Sequence, residues 1–418
     1  MLSLDYIRNN KDKVIQAAKN KKRVVEIEKI LELDEQRKKS IHQIQALRED
    51  RNKQPKSKPS PEDIQKGKKL KEEINKLEKE LAEIETHLNH LLSFVPNVPL
   101  EDAPVGDASH NKQIKTWGEI KKFSFEPKNH IQLGQDLDLL DLERGTKVSG
   151  FRGYFLKNEL AQLHLSLLFY VFNELIKKGY SPLITPSIVK GFSLFGSGQF
   201  PWGEKEVYKL NDSDSYLAGT SEVPATAYFA NEILNEQDLP KKFVLLSSCF
   251  RKEAGSYGKD TKGLYRVHEF WKIEQLVLAK NSLEEALTLH DELQKNSEQI
   301  LESLELPYQV VLMSTEEMGE PQIKKYDTET WMPSRNAYSE TMSNSIMGDF
   351  QTRRLNIKYR KKTGETEFCY SLNNTAIATP RILIPLLENH QQEDGSVLIP
   401  KALQQYTGFD RIKVKVKV

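Results

Sequence analysis

The 418-residue sequence predicts an α+β protein, in which an antiparallel two-helix coiled-coil arm precedes a domain of strands and helices. Apolar residues from Leu70 to Leu91 recur every 3.5 residues, the period of a coiled-coil seam. A stretch at 93–106 is rich in proline and has the composition of a linker. Beyond it, the runs 241–253 and 264–279 have the apolar character of strands.

The first helix of the arm is predicted from apolar positions with the seam period and a polar gap at Asp34 and Arg37; they are Ile27, Ile30, Ile41 and Ile44. In the second helix the seam residues are Leu70, Ile74, Leu77, Leu81, Ile84, Leu88 and Leu91. Each helix should extend roughly 40 Å at about 1.5 Å per residue.

The connection between the two helices contains Pro55, Pro59 and Pro61, which cannot continue a helix. Ser60 is the predicted N-cap of the second helix, because proline favours the first helical position that follows a cap. A tight turn therefore joins two antiparallel helices.

The window 37–71 around the tip of the arm contains twelve Lys or Arg residues and four Asp or Glu residues. Such charge is typical of a solvated coiled-coil face. It would equally suit a polyanion, because Lys and Arg neutralise phosphates. The residues alone leave both interpretations open.

Beyond the linker, 163–178 is predicted as an amphipathic helix, and the segment around Pro182 and Pro186 as extended chain. The two strand-like runs are joined by 254–263, a connection that contains Gly255, Gly258 and Gly263. This connection is too long for a two-residue hairpin turn.

The bulk composition excludes several classes of protein. Charged residues make up 29% of the chain, and no apolar run is long enough to cross a membrane. The N-terminus is charged, unlike a signal peptide. The two cysteines, Cys249 and Cys369, cannot form a disulfide framework or a four-cysteine zinc site. We therefore expect a cytoplasmic protein with two buried thiols.

The stretch "GLYRVHEFWKIEQ", residues 263–275, contains an adjacent His268 and Glu269, as a zinc-protease helix does. That motif needs a second histidine four residues after the first, and Lys272 occupies this position. The surrounding strand pattern also argues against a helix, so a zinc site is not expected here.

The glycine-containing connection could instead fold over a polyanionic ligand, because cations surround it; they are Arg251, Lys252, Lys259, Lys262 and Arg266. Phe270 offers a flat face on which a base could stack. A basic loop between strands, with no such role, is the alternative.

The segment "CFRKEAGSYGKDTKGLYRVHEFWKIE" resembles motif 2 of class II aminoacyl-tRNA synthetases, in the form found in the seryl-tRNA synthetase family. "SPLITPSIVK" resembles motif 1, the dimer-interface segment, and "LAGTSEVP" resembles the serine-binding segment. "LNNTAIATPRILIPLLENHQQEDGSVLIP" resembles motif 3, and "YDTETWMPSRNAYSETMSNSIMGDFQTRR" the stretch before it. The basic hairpin resembles the tRNA-binding arm of the family. The resemblance covers nearly the whole chain in the right order.

This resemblance implies a tRNA-binding arm at 1–105 and a catalytic domain at 106–418, built on a mixed, mainly antiparallel sheet flanked by helices. The implied activity forms seryl-adenylate and pyrophosphate from L-serine and ATP. The seryl group then passes to the 3′-terminal adenosine of tRNA(Ser), with tRNA(Sec) as a further candidate. A homodimer, Mg²⁺ and no membrane association are implied as well.

The resemblance also implies site residues. Arg251 would hold the α-phosphate and the serine carboxylate, Arg381 the γ-phosphate, and Glu340 the metal ion, and these are the implied catalytic residues. The serine-binding residues would be Thr220, Ser221, Glu222, Arg251, Glu274 and Thr375. The ATP-binding residues would be Arg251, Lys252, Glu253, Val267, Phe270, Glu340, Thr341, Met342, Ser343 and Arg381.

The sequence differs from the residues usual in the family motifs at Glu269, at Trp271 and at 342–347. We expect Glu269 to add a negative charge beside the ATP site. The Lys–Val tail at 411–418 is expected to be an edge strand or a solvated end.

Two other functions compete with the implied one. A ligase that charges a carrier protein would lack the basic arm, and a catalytically dead interaction protein would not need Arg251, Glu274, Glu340 and Arg381.

Overall fold

The computed structural model describes residues 1–53, 60–211, 213–254 and 262–414. The chain forms two compact units, Met1–Val98 and Pro99–Val418. Several residues discussed from the sequence lie outside the described ranges; they are Pro55, Pro59, Gly255, Gly258, Lys259 and the end of the Lys–Val tail.

The first unit is helical, and its helices are α1 (Leu4–Asn9), α2 (Lys11–Asn20), α3 (Ile27–Asn52) and α4 (Pro61–Ser93). Helices α3 and α4 form the predicted antiparallel hairpin. An ion pair of 2.7 Å joins Arg48, late in α3, to Glu78, and one of 3.9 Å joins the earlier Arg37 to the later Glu85. The two helices therefore run in opposite directions.

The predicted start of α4 is confirmed. The Ser60 hydroxyl accepts a hydrogen bond of 3.1 Å from the Asp63 amide, and the Ser60 amide donates one of 2.9 Å to the Asp63 carboxylate. Pro61 is the first residue of the helix. These reciprocal hydrogen bonds satisfy the backbone amides of Ser60 and Asp63. Amides at the start of a helix lack an acceptor within the helix, so the cap stabilises this end.

The polar gap in the seam of α3 is a buried charge cluster. The Asp34 side chain is only 1% exposed and pairs with Arg8, Arg37 and Lys38. Burial, the largest influence, would raise the pKa of Asp34, but the hydrogen bonds and charges of Lys38 and Arg37 outweigh it and the pKa is lowered. Asp34 therefore links α3 to α1 through its ion pair with Arg8.

The second unit contains an eight-stranded sheet within the described residues, in the order β1-β10-β11-β12-β15-β9-β8-β4. Its strands are β1 (Lys112–Trp117), β4 (Ser181–Ile184), β8 (Lys241–Phe250), β9 (Glu269–Ala279), β10 (Tyr308–Leu312), β11 (Lys324–Met332), β12 (Ala337–Gly348) and β15 (Tyr370–Thr379). Only β4 and β8 pair in parallel among these described strands. The mixed, mainly antiparallel sheet is confirmed.

Smaller sheets lie around the main one. Their strands are β2 (Leu140–Asp141), β3 (Phe155–Leu156), β5 (Ile188–Val189), β6 (Tyr216–Leu217), β7 (Ile233–Asn235), β13 (Lys358–Arg360), β14 (Thr366–Phe368), β16 (Val397–Leu398) and β17 (Arg411–Ile412). β17 pairs with β16, so the described start of the Lys–Val tail is an edge strand, as expected.

The helices of the second unit are α5 (His130–Asp136), α6 (Leu142–Ser149), α7 (Asn158–Lys177), α8 (Gly191–Ser197), α9 (Glu222–Thr226), α10 (Leu283–Ser303), α11 (Phe350–Leu355), α12 (Leu383–His390) and α13 (Lys401–Thr407). Apolar residues of α7 and α10 form the main core with alternate residues of β9 and β15, including Ile273 and Val277. The intervening residues of β9 are free to line a site on the other face of the sheet. No helix of the described residues has the length and apolar character that a membrane span requires.

The predicted strands and helix are present with changed limits. The predicted helix 163–178 is α7, which begins earlier, at Asn158. The second predicted strand begins later, at Glu269, and His268 lies just before it. The residues before His268 bond to distant groups instead: the Leu264 amide donates to His130 Nε2 at 3.2 Å, and the Arg381 guanidinium donates to the Tyr265 carbonyl at 3.0 Å.

Gly263 is the position where this turn requires glycine. Its φ is +76°, and an added Cβ would lie 2.2 Å from His130 Nε2. His130 in turn is held by the fully buried Glu388, 3.0 Å from its Nδ1. A larger residue would therefore clash with a rigid neighbour as well as adopt a strained backbone conformation.

Candidate active site

A cavity of about 310 Å³ is lined by residues of β9, β11, β12 and β15, and by the segments that follow β8, precede β9 and precede α9. All the site residues expected from the sequence line it except Ser221 and Lys252. Ser221 is buried directly behind the wall, where its hydroxyl bonds to Glu274. Lys252 turns away, and its ammonium lies 5.6 Å from the centre of the Tyr208 ring.

Glu274 is the centre of one end of this cavity. One of its carboxylate oxygens accepts hydrogen bonds from the Thr220 hydroxyl and the Ser221 hydroxyl, both at 2.7 Å, and from the Glu222 amide at 3.1 Å. The segment before α9 therefore wraps around a single oxygen atom. Burial opposes the charge of Glu274 most strongly, yet Lys272 and the hydroxyl donors outweigh it and lower the pKa.

Lys272 is the buried cation of the same cluster. Its ammonium donates to the other oxygen of Glu274 and to the Thr220 hydroxyl, each at 2.7 Å, and its side chain is 5% exposed. In the sequence, Lys272 only excluded a zinc site, and no role was predicted for it. Its place in the sequence could have indicated a site residue, because Phe270, Lys272 and Glu274 are alternate residues of β9 and therefore lie on the same face of the strand.

Glu222 is a second carboxylate beside Glu274. Its side chain accepts a hydrogen bond of 2.7 Å from Gln351. Burial and then the charge of Glu274 raise its pKa to about 7, against the opposing influence of Gln351, Lys272 and Arg251. Thr375 lies directly across the strand pair from Glu274, so it completes the polar wall.

Arg251 connects this polar pocket to an aromatic wall. Its guanidinium donates to the Gly219 carbonyl at 3.1 Å and lies 5.1 Å from the centre of the Phe270 ring. Glu253, with a left-handed φ of +53°, pairs with Arg266 at 2.6 Å. This ion pair joins the residues on either side of the connection 254–263, and both residues line the cavity.

The opposite end of the cavity carries Arg381 and Glu340. The Arg381 guanidinium lies 3.6 Å from the Glu340 carboxylate and donates to the Glu340 carbonyl at 3.2 Å. It also lies 4.5 Å from the centre of the Tyr265 ring. Desolvation would raise the pKa of Glu340, but Arg381, followed by Lys325 and Arg251, lowers it. The carboxylate is therefore held ionised.

Behind Glu340 lies a second buried ion pair. The Lys325 ammonium, which lines the cavity, lies 2.9 Å from the Asp327 carboxylate. Burial, outweighing the nearby Lys325, raises the pKa of Asp327 to about 6. Ser343 lies opposite Asp327 on the neighbouring strand. Arg266, which the sequence indicated as a cation facing a polyanionic ligand, does line the cavity. Lys325 was not singled out from the sequence, although it shares a strand face with Asp327.

The aromatic part of the cavity contains Phe270 and Val267. Thr341 is held from behind by a hydrogen bond of 2.7 Å to the Thr330 hydroxyl. Met342 is only 1% exposed, belongs to the main core, and borders the cavity from within the sheet. This flat, apolar region lies between the two arginines.

Glu269, which we expected to add a negative charge beside the ATP site, lies away from the cavity that contains the predicted ATP-binding residues. Glu269 does not line the main cavity but a second one, of about 340 Å³, with Tyr154 and His268. Trp271 also points to the other face, where its ring packs 6.2 Å from His164. Glu269 and Trp271 alternate along β9 with the residues that face the cavity, so their side chains lie on the opposite face of the strand. The two differences from the family motif therefore do not change the residues that line the cavity.

The donor set suits one hard divalent cation bound together with a nucleotide. Within the described ranges, no cluster of three or more His, Cys, Asp or Glu side chains could hold a metal ion by itself. Glu340 offers an ionised carboxylate on a side chain that is 47% exposed, and Ser343 offers a hydroxyl. Mg²⁺ is commonly held by one or two carboxylates, with phosphate oxygens and waters as its other ligands.

Comparison with known proteins agrees with this architecture. A family model described as the tRNA synthetase class II core domain (G, H, P, S and T) matches residues 206–390, and the seryl-tRNA synthetase N-terminal domain matches residues 1–99. The fold is thus that of a class II aminoacyl-tRNA synthetase.

Individual relatives narrow the class. The serine–tRNA ligase of Treponema denticola is 44% identical and covers 99% of this chain and 100% of the relative. That of Deinococcus radiodurans is 42% identical, covering 98% of each. The crystal structure of seryl-tRNA synthetase from Pyrococcus horikoshii, complexed with ATP, superposes with a TM-score of 0.91 at 38% identity over 100% of both chains. The chain belongs to the seryl-tRNA synthetase family.

Proposed function

We propose that this chain activates L-serine with ATP, forming seryl-adenylate and pyrophosphate, and then transfers the seryl group to the 3′-terminal adenosine of tRNA(Ser). One observation carries the proposal. A single cavity joins a buried carboxylate and hydroxyl cluster, around Glu222 and Glu274, to a region with the two arginines Arg251 and Arg381. The first part suits a small polar amino acid, and the second suits a triphosphate.

The proposed serine-binding residues are Thr220, Glu222, Arg251, Glu274 and Thr375. Ser221, the sixth residue of the predicted set, would act from behind the wall through its hydrogen bond to Glu274. The two carboxylates attract the ammonium of serine, and Arg251 its carboxylate. Thr375 would contact the serine hydroxyl, and its position opposite Glu274 on the neighbouring strand supports this role. Alanine, which lacks this hydroxyl, would leave buried polar groups unpaired and would therefore bind more weakly.

Activation requires positioning and charge stabilisation rather than a protein nucleophile. The serine carboxylate attacks the α-phosphorus, the bond to the pyrophosphate oxygen breaks, and negative charge develops on phosphate oxygens. Arg251 binds the α-phosphate and Arg381 the γ-phosphate. Phe270 and Val267 form the adenine pocket, with the cation of Arg251 close to the Phe270 ring.

The remaining ATP-binding residues border the phosphates or support the loop; they are Lys252, Glu253, Glu340, Thr341, Met342 and Ser343. Lys252 points toward Tyr208, so a phosphate contact requires it to change its side-chain conformation. Glu340 would hold Mg²⁺, with Ser343 nearby, and the ion would supply charge compensation to the phosphates.

The division into a tRNA-binding arm at 1–105 and a catalytic domain at 106–418 is part of this proposal. The basic hairpin would bind tRNA(Ser), with tRNA(Sec) as a second candidate substrate. The cytoplasm is the compartment where these substrates meet.

A homodimer is proposed through the segment that resembles motif 1. An apolar surface supports this proposal: on α7, Leu165 is 48% exposed and Phe169 56% exposed. On β4, an edge strand of the main sheet, Ile184 is 80% exposed. An unpaired edge beside exposed apolar side chains is the kind of surface that a second subunit covers.

Serine-dependent exchange of pyrophosphate into ATP, followed by charging of purified tRNA(Ser), tests the function. We expect both reactions, with serine preferred over alanine and threonine. Exchange without charging would favour a carrier-protein ligase, and no exchange would contradict both enzymatic functions. Charging of tRNA(Sec) is measured in parallel.

A further inference from the structure

Gln351, on α11, has a buried amide whose oxygen and nitrogen are both bonded. Its side-chain nitrogen donates to the Ser197 carbonyl at 2.8 Å and to the Glu222 carboxylate at 2.7 Å. Its side-chain oxygen accepts from the Ser371 hydroxyl at 2.7 Å. The residue has 0% exposure and was not singled out from the sequence.

These partners determine which way the amide faces. A backbone carbonyl can only accept a hydrogen bond, so the amide nitrogen of Gln351 must face Ser197. The second hydrogen of that nitrogen then points to Glu222. The opposite orientation would place the amide oxygen against a carbonyl and a carboxylate, and both contacts would be repulsive.

The helix that carries Gln351 is itself fixed in place. Leu355 packs so closely on Gly196 of α8 that a Cβ on the glycine would lie 2.2 Å from the leucine side chain. Arg354 donates to the carbonyls of Phe195 and Phe200 at 2.7 and 2.8 Å. Leu355 and Arg354 thus anchor α11 to α8 and to the residues that follow it. Gln351, which lies on the same helix, is therefore fixed in position and cannot easily follow a movement of Glu222.

We propose that Gln351 is a positioning residue for serine binding, which holds the Glu222 carboxylate toward the cavity as an acceptor for the substrate ammonium. This inference rests on the proposed function. Glu274 already has a cationic partner, Lys272, at 2.7 Å, whereas the direct partner of the Glu222 side chain is a neutral amide. A neutral donor orients a carboxylate without cancelling its charge.

The hydrogen bond from Gln351 also favours the ionised form of Glu222. The charged groups that face Glu222 are Glu274 and Lys272 from β9 and Arg251 beyond β8. Burial and Glu274 already raise its pKa to about 7, and the amide opposes them. Without this donor the pKa should rise further, so Glu222 would stay protonated at neutral pH and attract an ammonium less.

The test compares Gln351→Met with the unmodified full-length chain in pyrophosphate exchange, between about pH 6 and about pH 8.5, a range that brackets the raised pKa. A lost hydrogen bond to a charged group corresponds to a rise of about tenfold or more in the KM for serine at pH 7. We expect this rise to diminish at higher pH, where Glu222 ionises again, while the KM for ATP stays unchanged.

Gln294→Met is the matched control. Gln294 is also a buried amide that donates to a glutamate, Glu298 at 3.2 Å, and to Thr328, but it lies on α10 away from the cavity. The Gln294→Met variant should be less stable than the unmodified chain, but its KM for serine should show no selective change. A selective rise in both variants, or in neither, would overturn the positioning role.

Ser371→Ala is a milder second variant, for the case that Gln351→Met does not fold. It removes the hydroxyl that holds the Gln351 oxygen, and should raise the KM for serine in the same direction by a smaller factor. Equal changes in the KM values for serine and ATP would indicate a merely structural residue. Failure of the proposed function is distinguishable, because the unmodified chain would then show no serine-dependent exchange.

Discussion

The Lys272 ammonium lies 2.7 Å from one carboxylate oxygen of Glu274, and the two side chains are 5% and 3% exposed. Three further donors saturate the other oxygen. A charge in this environment is tolerated only while its partner is present.

Lys272→Met should therefore destabilise the protein by about 3–5 kcal/mol, since it leaves the Glu274 charge buried without a counter-ion. It should also raise the KM for serine, because Thr220 and Glu274 lose a common donor. Thermal unfolding and exchange kinetics measure the two effects. In the double variant Lys272→Met with Glu274→Gln, part of the stability should return. Strictly additive losses would contradict a direct coupling of the two side chains.

Glu269→Gln should leave the KM for ATP unchanged, because the Glu269 side chain lines the second cavity and not the main one. Glu340→Gln is the contrasting variant, since Glu340 lies in the main cavity beside Arg381. We expect it to lower kcat and to weaken the dependence of exchange on Mg²⁺. A changed KM for ATP in Glu269→Gln would mean that its charge acts through the sheet.

Replacement of 37–71 by a short glycine linker should preserve serine-dependent exchange and reduce charging of tRNA(Ser) strongly. The window carries twelve cations, and neutralised phosphates make binding depend on salt. Lys66→Glu with Lys69→Glu is a version that keeps the helices, since both side chains are exposed. It should raise the KM for tRNA and flatten its salt dependence. Undiminished charging by the shortened chain would refute the role of the arm.

Asp34→Asn should destabilise the base of the arm by about 1.5–3 kcal/mol at neutral pH, because the partly exposed Arg8, Arg37 and Lys38 lose the buried anion that they share. In the folded chain the pKa of Asp34 is lowered below its ordinary value of 3.8. The unfolded chain therefore binds the proton more readily, and the contribution of Asp34 to stability is present above that value and lost as the pH falls through the folded pKa. Unfolding of the full-length chain, followed as a function of pH, measures this contribution.

The stability of Asp34→Asn should accordingly differ most from that of the unmodified chain near neutral pH, and the two should converge in acid. Asp63→Asn offers a comparison at an exposed carboxylate, where only a helix cap is weakened. Parallel pH profiles for Asp34→Asn and the unmodified chain would show that the buried cluster does not titrate as inferred.

Local sequence patterns were sufficient for the elements that depend on neighbours along the chain. The heptad spacing predicted α4, and Ser60 with Pro61 predicted its start, because a cap bonds to residues three positions away. The long matches around motif 2 and motif 3 led to the residues that line the main cavity. The late start of β9 was missed, since the partners of Leu264 and Tyr265 are His130 and Arg381, far away in the chain.

The sequence by itself determined the helical arm, the class of fold and most of the cavity wall, because periodicity, caps and long motifs are written in consecutive residues. Only the tertiary structure decided how the polar groups are partnered. It placed Lys272 against Glu274, directed Gln351 from α11 onto Glu222, and turned Glu269 to the other face of the sheet. These contacts depend on strand register and helix packing, which bring together residues that no local pattern relates.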